Sequence, residues 1–310
     1  HTGIFTELGV LFTKYKPEKL TDHIKIFWSR MNIPKLLRAC EAGHHWSEAT
    51  FLYKENEDFD NAVLTMINHS AAAWQDDLFM SMVIKVRNQE LYYQAIDFYL
   101  DEQPSMVTRL LTLLTPKLSH TRVVHQARKR KQLPLFLTYF KAVQKDNIKE
   151  VNSALNEMYV LDEDYNALKE SIDTYDAFDQ LELAQSIEKH VLLEFRRIAA
   201  YVYKKNKRYS QSIALSKQDK MYKDAIDTAA DSAEQELAED LLSFFVTAGD
   251  KECFAAALFT CSHLVRPDVV MEIAWRNKLS ESTILYLAGA FFSPSFFSYA
   301  LLTICVVCCP

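Results

Sequence analysis

Tyr209-x-x-Ser212-Ile213 is followed by Tyr222-x-x-Ala225-Ile226, and the order of residues in this pair decides the fold. Each is an aromatic, two variable positions, a small residue and an aliphatic one. The same cassette stands at Phe59-x-x-Ala62-Val63, Tyr92-x-x-Ala95-Ile96 and Phe254-x-x-Ala257-Leu258. Positions i, i+3 and i+4 share one face of a helix, so each cassette is a helical packing stripe. Phe59 to Tyr92 is 33 residues and Tyr222 to Phe254 is 32, the length of two antiparallel helices with their turns. Tyr209 to Tyr222 is 13, one helix and a turn. A single cassette says only that a helix forms. Five near a common period predict an α-solenoid.

Punctuation between the cassettes supports that rhythm. Asp179 reads as an N-cap, followed by a stripe of Leu181, Ala184, Ile187 and Val191. Leu192, Phe195, Ala199 and Val202 form the next stripe, which ends in the cationic turn Lys204 to Arg208. Asp219 is expected to cap the helix of Tyr222. Leu237, Leu241 and Phe244 carry the array to Gly249, a residue suited to a helix end. Pro267 reads as a first helical position. In such an array each hairpin buries one face only, and stacking on its neighbours supplies the missing burial. The small residue of the cassette is then the point of close helix approach.

Composition limits the alternatives. The 310 residues are 49% hydrophobic and 25% charged, with five glycines and eight prolines, which disfavours β-rich or disordered architecture. A formal charge of −6 argues against a general nucleic-acid binder. Cys40, Cys253 and Cys261 fall in helical stripes, where a thiol behaves as a small apolar group. No disulfide framework is evident, and His1 opens no signal-peptide pattern. A reduced, cytoplasmic piece of something longer is expected. From Ser282 to Pro310 there is no charged residue. That run is long enough to span a bilayer. It reads either as a membrane anchor or as a tail foreign to the fold, and the abrupt loss of period after Glu281 favours the tail.

Longer strings carry a resemblance. GIFTELG (Gly3–Gly9), IKIFWSRMNIPKLLRAC (Ile24–Cys40), LYYQAIDFYL (Leu91–Leu100), AYVYKKNKRYSQSI (Ala200–Ile213) and RPDVVMEIAWR (Arg266–Arg276) strongly resemble the clathrin heavy chain. The likeness is to the proximal leg and runs from residue 3 to about residue 281. It implies a right-handed superhelix of stacked antiparallel hairpins, with residues 1–120 as part of one leg repeat and 121–281 as the next. Residues 282–310 then form a non-family apolar tail, standing where the trimerisation segment should begin. The amino-terminal propeller of the family has no counterpart. The implied function is structural: a rigid leg segment packing laterally in the lattice of coated vesicles and coated pits. The implied partners are clathrin light chains and other heavy chains, with membrane association indirect, through adaptors. A generic helical-repeat scaffold of vacuolar-sorting or TPR type, binding peptides, is the alternative.

Catalytic motifs find no footing, and no cofactor, metal or small-molecule substrate is expected. His45-x-x-Glu48 lacks the second histidine of a metalloprotease helix, and Cys305-x-x-Cys308 is half a zinc site without its second pair. His120 and His125, five apart, do not share a helix face well. Basic clusters remain. Lys14, Lys16 and Lys19 surround Pro17, and Arg128, Lys129, Arg130 and Lys131 are four consecutive cations. Each could simply be a solvated helix end. The resemblance gives them a second reading, as the register-setting contacts for an acidic light-chain helix. Trp28, Trp46 and Tyr209 are the aromatic anchor candidates. Phe59, Ala62, Tyr92, Ala95, Tyr209, Ser212, Tyr222, Ala225, Phe254 and Ala257 are assigned to packing between repeats.

Overall fold

Left-handed residues at helix ends decide where the chain reverses. His44, Glu57, Glu163, Lys207 and Lys220 all have φ between 56° and 58°. In each case the next residue's N–H donates to the carbonyl five positions back. The bonds are His45 to Cys40 (2.8 Å), Asp58 to Tyr53 (2.9 Å), Asp164 to Tyr159 (2.9 Å), Arg208 to Tyr203 (2.8 Å) and Met221 to Ser216 (2.8 Å). This is the Schellman closure, which satisfies carbonyls that a helix end leaves unpaired. One residue later a new helix begins, each time on an aromatic: Trp46, Phe59, Tyr165, Tyr209 or Tyr222. Three residues of turn therefore suffice to start the next helix.

The protein is seen in a computed structural model that describes residues 2–277; the apolar stretch 282–310 lies outside them. Twenty α-helices and no strand occur among the described residues. The chain divides into two compact units between Leu155 and Asn156. The first holds α1 (Thr2–Tyr15), α2 (Leu20–Phe27), α3 (Ile33–Ala42), α4 (Trp46–Glu55), α5 (Phe59–Asn68) and α6 (Ser70–Ala73). It continues with α7 (Asp76–Val83), α8 (Glu90–Glu102), α9 (Val107–Leu114), α10 (His120–Lys129) and α11 (Leu137–Val143). The division falls inside α12 (Lys149–Leu161). The second unit holds α13 (Tyr165–Thr174), α14 (Gln180–Ile187), α15 (Leu193–Lys205) and α16 (Tyr209–Gln218). It ends with α17 (Tyr222–Ser232), α18 (Gln235–Ala248), α19 (Lys251–Thr260) and α20 (Pro267–Arg276). Many helices pack on their sequence neighbour, as α3 on α4, α4 on α5, α14 on α15, α15 on α16 and α16 on α17, and several also touch the helix two places on: α5 on α7, α17 on α19, α18 on α20. That is the layering of a helical solenoid.

The core of the first unit's start is Leu20, Ile24, Leu36, Cys40, Ala49 and Leu52, with Phe5, Phe12 and Trp28 packed against it. In the second unit, Ile213, Ala225, Leu242, Phe245, Phe254 and Leu258 form one cluster with Tyr222 and Phe244 against it. The small residue of every cassette is wholly buried: Ala62, Ala95 and Ala225 at 0% exposure, Ser212 and Ala257 at 1%. The aromatics divide. Tyr92 and Phe254 are buried, while Phe59, Tyr209 and Tyr222, which open their helices, are half-buried.

Two expectations about helix ends need correction. Asp219 does not cap α17; it closes α16, its carboxylate is bound by Arg196, and Met221 takes the N-cap position. Val191 does not continue the stripe of α14, which ends at Ile187, and it points outward at 90% exposure. Asp179 does cap α14, accepting from the Glu182 N–H at 3.0 Å, and Pro267 opens α20. Gly249 closes α18 in the left-handed region, with φ 74°. An alanine there meets no neighbour within 4 Å, so only its backbone is strained. Gly249→Ala is expected to cost about 1–2 kcal/mol. Lys207→Gly, at a left-handed position occupied by a side chain, should stabilise by up to about 1 kcal/mol. Chemical denaturation of the two variants checks both signs.

Candidate partner-binding surface

The first basic cluster lies on the turn from α1 to α2. Lys14 lies in the last turn of α1, Lys16 precedes a short 3-10 turn at Pro17, and Lys19 ends that turn. All three side chains are exposed, and none forms an ion pair among the described residues. The backbone holds the turn: the Lys16 N–H donates to Phe12 O at 3.2 Å and the Lys19 N–H to Lys16 O at 3.1 Å. Two histidines, unassigned by any motif, brace α1 behind it. His23 Nε2 lies 2.9 Å from Phe5 O, and His45 Nε2 lies 2.9 Å from Thr13 O. His45 and Glu48 are thus structural: Glu48 accepts from the Thr21 hydroxyl at 2.6 Å.

The second cluster is differently placed. Arg130 Nε donates to Asp97 at 2.9 Å, and its Nη1 and Nη2 reach Asp101 at 3.0 and 3.2 Å. Its charge is therefore spent within the fold. Lys131 is the left-handed turn residue after α10, and Lys129 and Arg128 are exposed on its last turn.

Arg130 belongs to a recurring set of ties. Arg109 of α9 binds Asp76 (2.9 Å) and Asp77 (3.1 Å) at the start of α7, and Arg122 of α10 binds Glu90 of α8 through both nitrogens. In the second unit Arg197 and Lys204 of α15 bind Asp224 (2.9 Å) and Asp231 (2.5 Å) of α17. Tyr201 of α15 donates to Asp173 of α13 at 2.8 Å. Every tie joins a helix to the helix two places away, across 27 to 33 residues of sequence. Exposed ion pairs of this kind are screened by solvent and set register more than they add stability. Aromatic anchors are engaged too: Trp46 stacks on His69 at 3.6 Å and Trp28 packs into the first core.

Glu239 is the better buried partner. It is 8% exposed and takes Arg266 Nε and Nη2, each at 3.1 Å, joining α18 to the start of α20. Its hydrogen bonds from Arg266 hold its carboxyl below the usual carboxylate value of 4.5. A carboxyl whose folded pKa is depressed contributes stability above its unfolded pKa and loses it as pH falls through the folded one. The α18–α20 tie should therefore be whole above about pH 4.5 and weaken below it. Glu239→Gln is expected to flatten that acid limb of the stability profile.

The described cysteines serve packing. Burial pushes the Cys40 thiol up to about 12 and the Cys261 thiol up to about 11, so both act as apolar packing groups and not nucleophiles. Among the described residues no three His, Cys, Asp or Glu side chains converge as a metal site, and no helix is long and apolar enough to cross a membrane.

The family model described as a region in clathrin and VPS matches residues 1–107 and 111–253. The chain is 54% identical over 287 residues to clathrin heavy chain 1 of Oryza sativa subsp. japonica, covering 93% of this chain. It is 50% identical over 286 residues to clathrin heavy chain 2 of Homo sapiens (92% of this chain) and 49% over 287 residues to the clathrin heavy chain of Drosophila melanogaster (93%). It spans 17% of the length of each of these relatives. The match runs through both compact units and falls on the stacked hairpins just described, and on that ground the chain belongs to the clathrin family of helical repeats.

Proposed function

We propose that this chain is a leg segment of a clathrin-type coat: a stiff stack of hairpins that packs side by side with other legs in a vesicle lattice. The observation that carries this is the 54% identity to a clathrin heavy chain over 93% of the chain. The mechanism is mechanical. Buried small residues hold the helices close, ties between alternate helices fix their register, and many weak lateral contacts sum through multivalency. The family description also covers VPS proteins, but the relatives above are clathrin heavy chains, which favours the coat over a peptide-binding scaffold. We read the leg repeats as meeting at residues 120–121. On this reading the protein works on the cytoplasmic face of coated vesicles, through adaptors, and has no enzymatic role.

The same reading makes an acidic light-chain helix the partner of Lys14, Lys16 and Lys19. Their three charges are exposed without an ion pair among the described residues, whereas Arg130 is already neutralised by Asp97 and Asp101. Reversing Lys14, Lys16 and Lys19 together should weaken binding of an acidic light-chain helix about tenfold or more and flatten its salt dependence. Reversing Arg128, Lys129 and Lys131 should have the smaller effect. Titration calorimetry at two salt concentrations tests this, and equal binding by the first variant would remove the assignment.

A further inference from the structure

We propose that the loop between α14 and α15 is a self-association site, in which Val191 of one copy enters the recess beside the same loop on a second copy, and reciprocally. Among the described residues Val191 has the highest exposure of the large hydrophobics, 90%. A mobile loop would fold such a side chain inward, but this one is held. Arg196 Nη1 donates to the carbonyls of His190 (2.6 Å) and Val191 (2.8 Å), and its Nε is fixed by Asp219 at 2.9 Å. The Arg196 and Asp219 side chains are 21% and 12% exposed. The Leu192 N–H donates to His190 Nδ1 at 3.1 Å, and the His190 ring packs on Phe195 at 4.4 Å. Little conformational freedom is left for a partner to remove, which favours association.

The hole stands next to the knob. A recess of about 640 Å³ lies between this loop and α16, with Ala214, Leu215, Gln211 and Gln218 on its α16 side. A projecting apolar side chain adjoining a cavity of its own chain lets one patch meet its own copy across a two-fold axis. Charge points to the same occupant. Lys189, exposed and without an ion pair among the described residues, flanks the knob, while Glu188, whose hydrogen bond comes from the neutral Tyr203 hydroxyl, lies in the recess wall. Reversal of one copy sets that cation against the other's Glu188. This inference rests on the lateral-packing reading above and names a place where it occurs.

The test mixes isotopically light and heavy full-length chains carrying a photo-crosslinking residue in place of Val191. Cross-links joining light to heavy copies at residues 211–218 are expected; links confined to one copy, or landing elsewhere, overturn the proposal. Val191→Asp and Ala214→Trp, both at exposed positions, should each weaken concentration-dependent association at least tenfold by sedimentation, and Lys189→Glu should weaken it more at low salt. Unchanged association of Val191→Asp also overturns it. Binding of the acidic helix is measured on the same samples and is expected to be unaltered in Val191→Asp. Failure of the loop site thus leaves the coat reading standing, whereas failure of the unmodified chain to bind that helix strikes the light-chain assignment and leaves the loop site standing.

Discussion

Phe245→Ala is expected to destabilise the second unit by about 3–5 kcal/mol. Phe245 is 0% exposed at the centre of the cluster built by α16 to α20. Its ring meets Tyr222 edge-on at 5.2 Å and Phe244 at 5.4 Å, contacts that an aromatic pair favours beyond the area it buries. Truncation removes the apolar transfer energy and leaves a cavity that backbone on both sides holds open. In a stacked array the damage should also be local, because each hairpin leans only on its neighbours. Hydrogen exchange is the discriminating readout: protection in α17–α19 should collapse while α1–α5 keep theirs. An equal loss along the whole chain would mean that these helices fold as one cooperative globule.

Ala225→Trp tests the cassette itself. Ala225 is 0% exposed and lies beside Ile226 and Ala229 in the same cluster. A large ring there has no space, so α17 must move away from its neighbours or the side chain must leave its favoured rotamer. Overpacking of this kind costs about 1–3 kcal/mol. Ala225→Ser, which mimics the Ser212 cassette, should be tolerated far better. A tryptophan variant with the melting temperature of the unmodified chain would take away the close-approach role assigned to the small residue.

Helix content and stacking were legible in the sequence because the cassette fixes three positions of one helical face, and all five of its small residues are buried. The turns were harder to read. Left-handed positions usually advertise themselves as glycine, yet here they are His44, Glu57, Glu163, Lys207 and Lys220. Their available signal was the aromatic two residues later, at Trp46, Phe59, Tyr165, Tyr209 and Tyr222. Asp219 misled because a carboxylate before a helix suggests a cap, while a tertiary partner, Arg196, claims it. Val191 misled because α14 ends early and the same arginine holds the following loop outward. Both errors share a cause: a contact across 23 and 5 residues, respectively, that no local pattern encodes.

The candidate surface was legible as charge but not as availability. Lys14, Lys16 and Lys19 and the run Arg128 to Lys131 look alike on paper. Only the geometry of alternate helices shows that Arg130 is consumed by Asp97 and Asp101. The period of 27 to 33 residues that spaces those ties is the same one that spaces the cassettes. Repetition thus sets both the buried contacts and the polar ones.

The most direct test of the account is assembly. A clathrin heavy chain in which residues 2–277 of this protein replace the matching segment should be examined by electron microscopy under coat-forming conditions. Closed polyhedral coats with legs of ordinary length are the predicted result. Heavy chains that stay folded but unassembled would contradict the claim that this chain is a laterally packing leg.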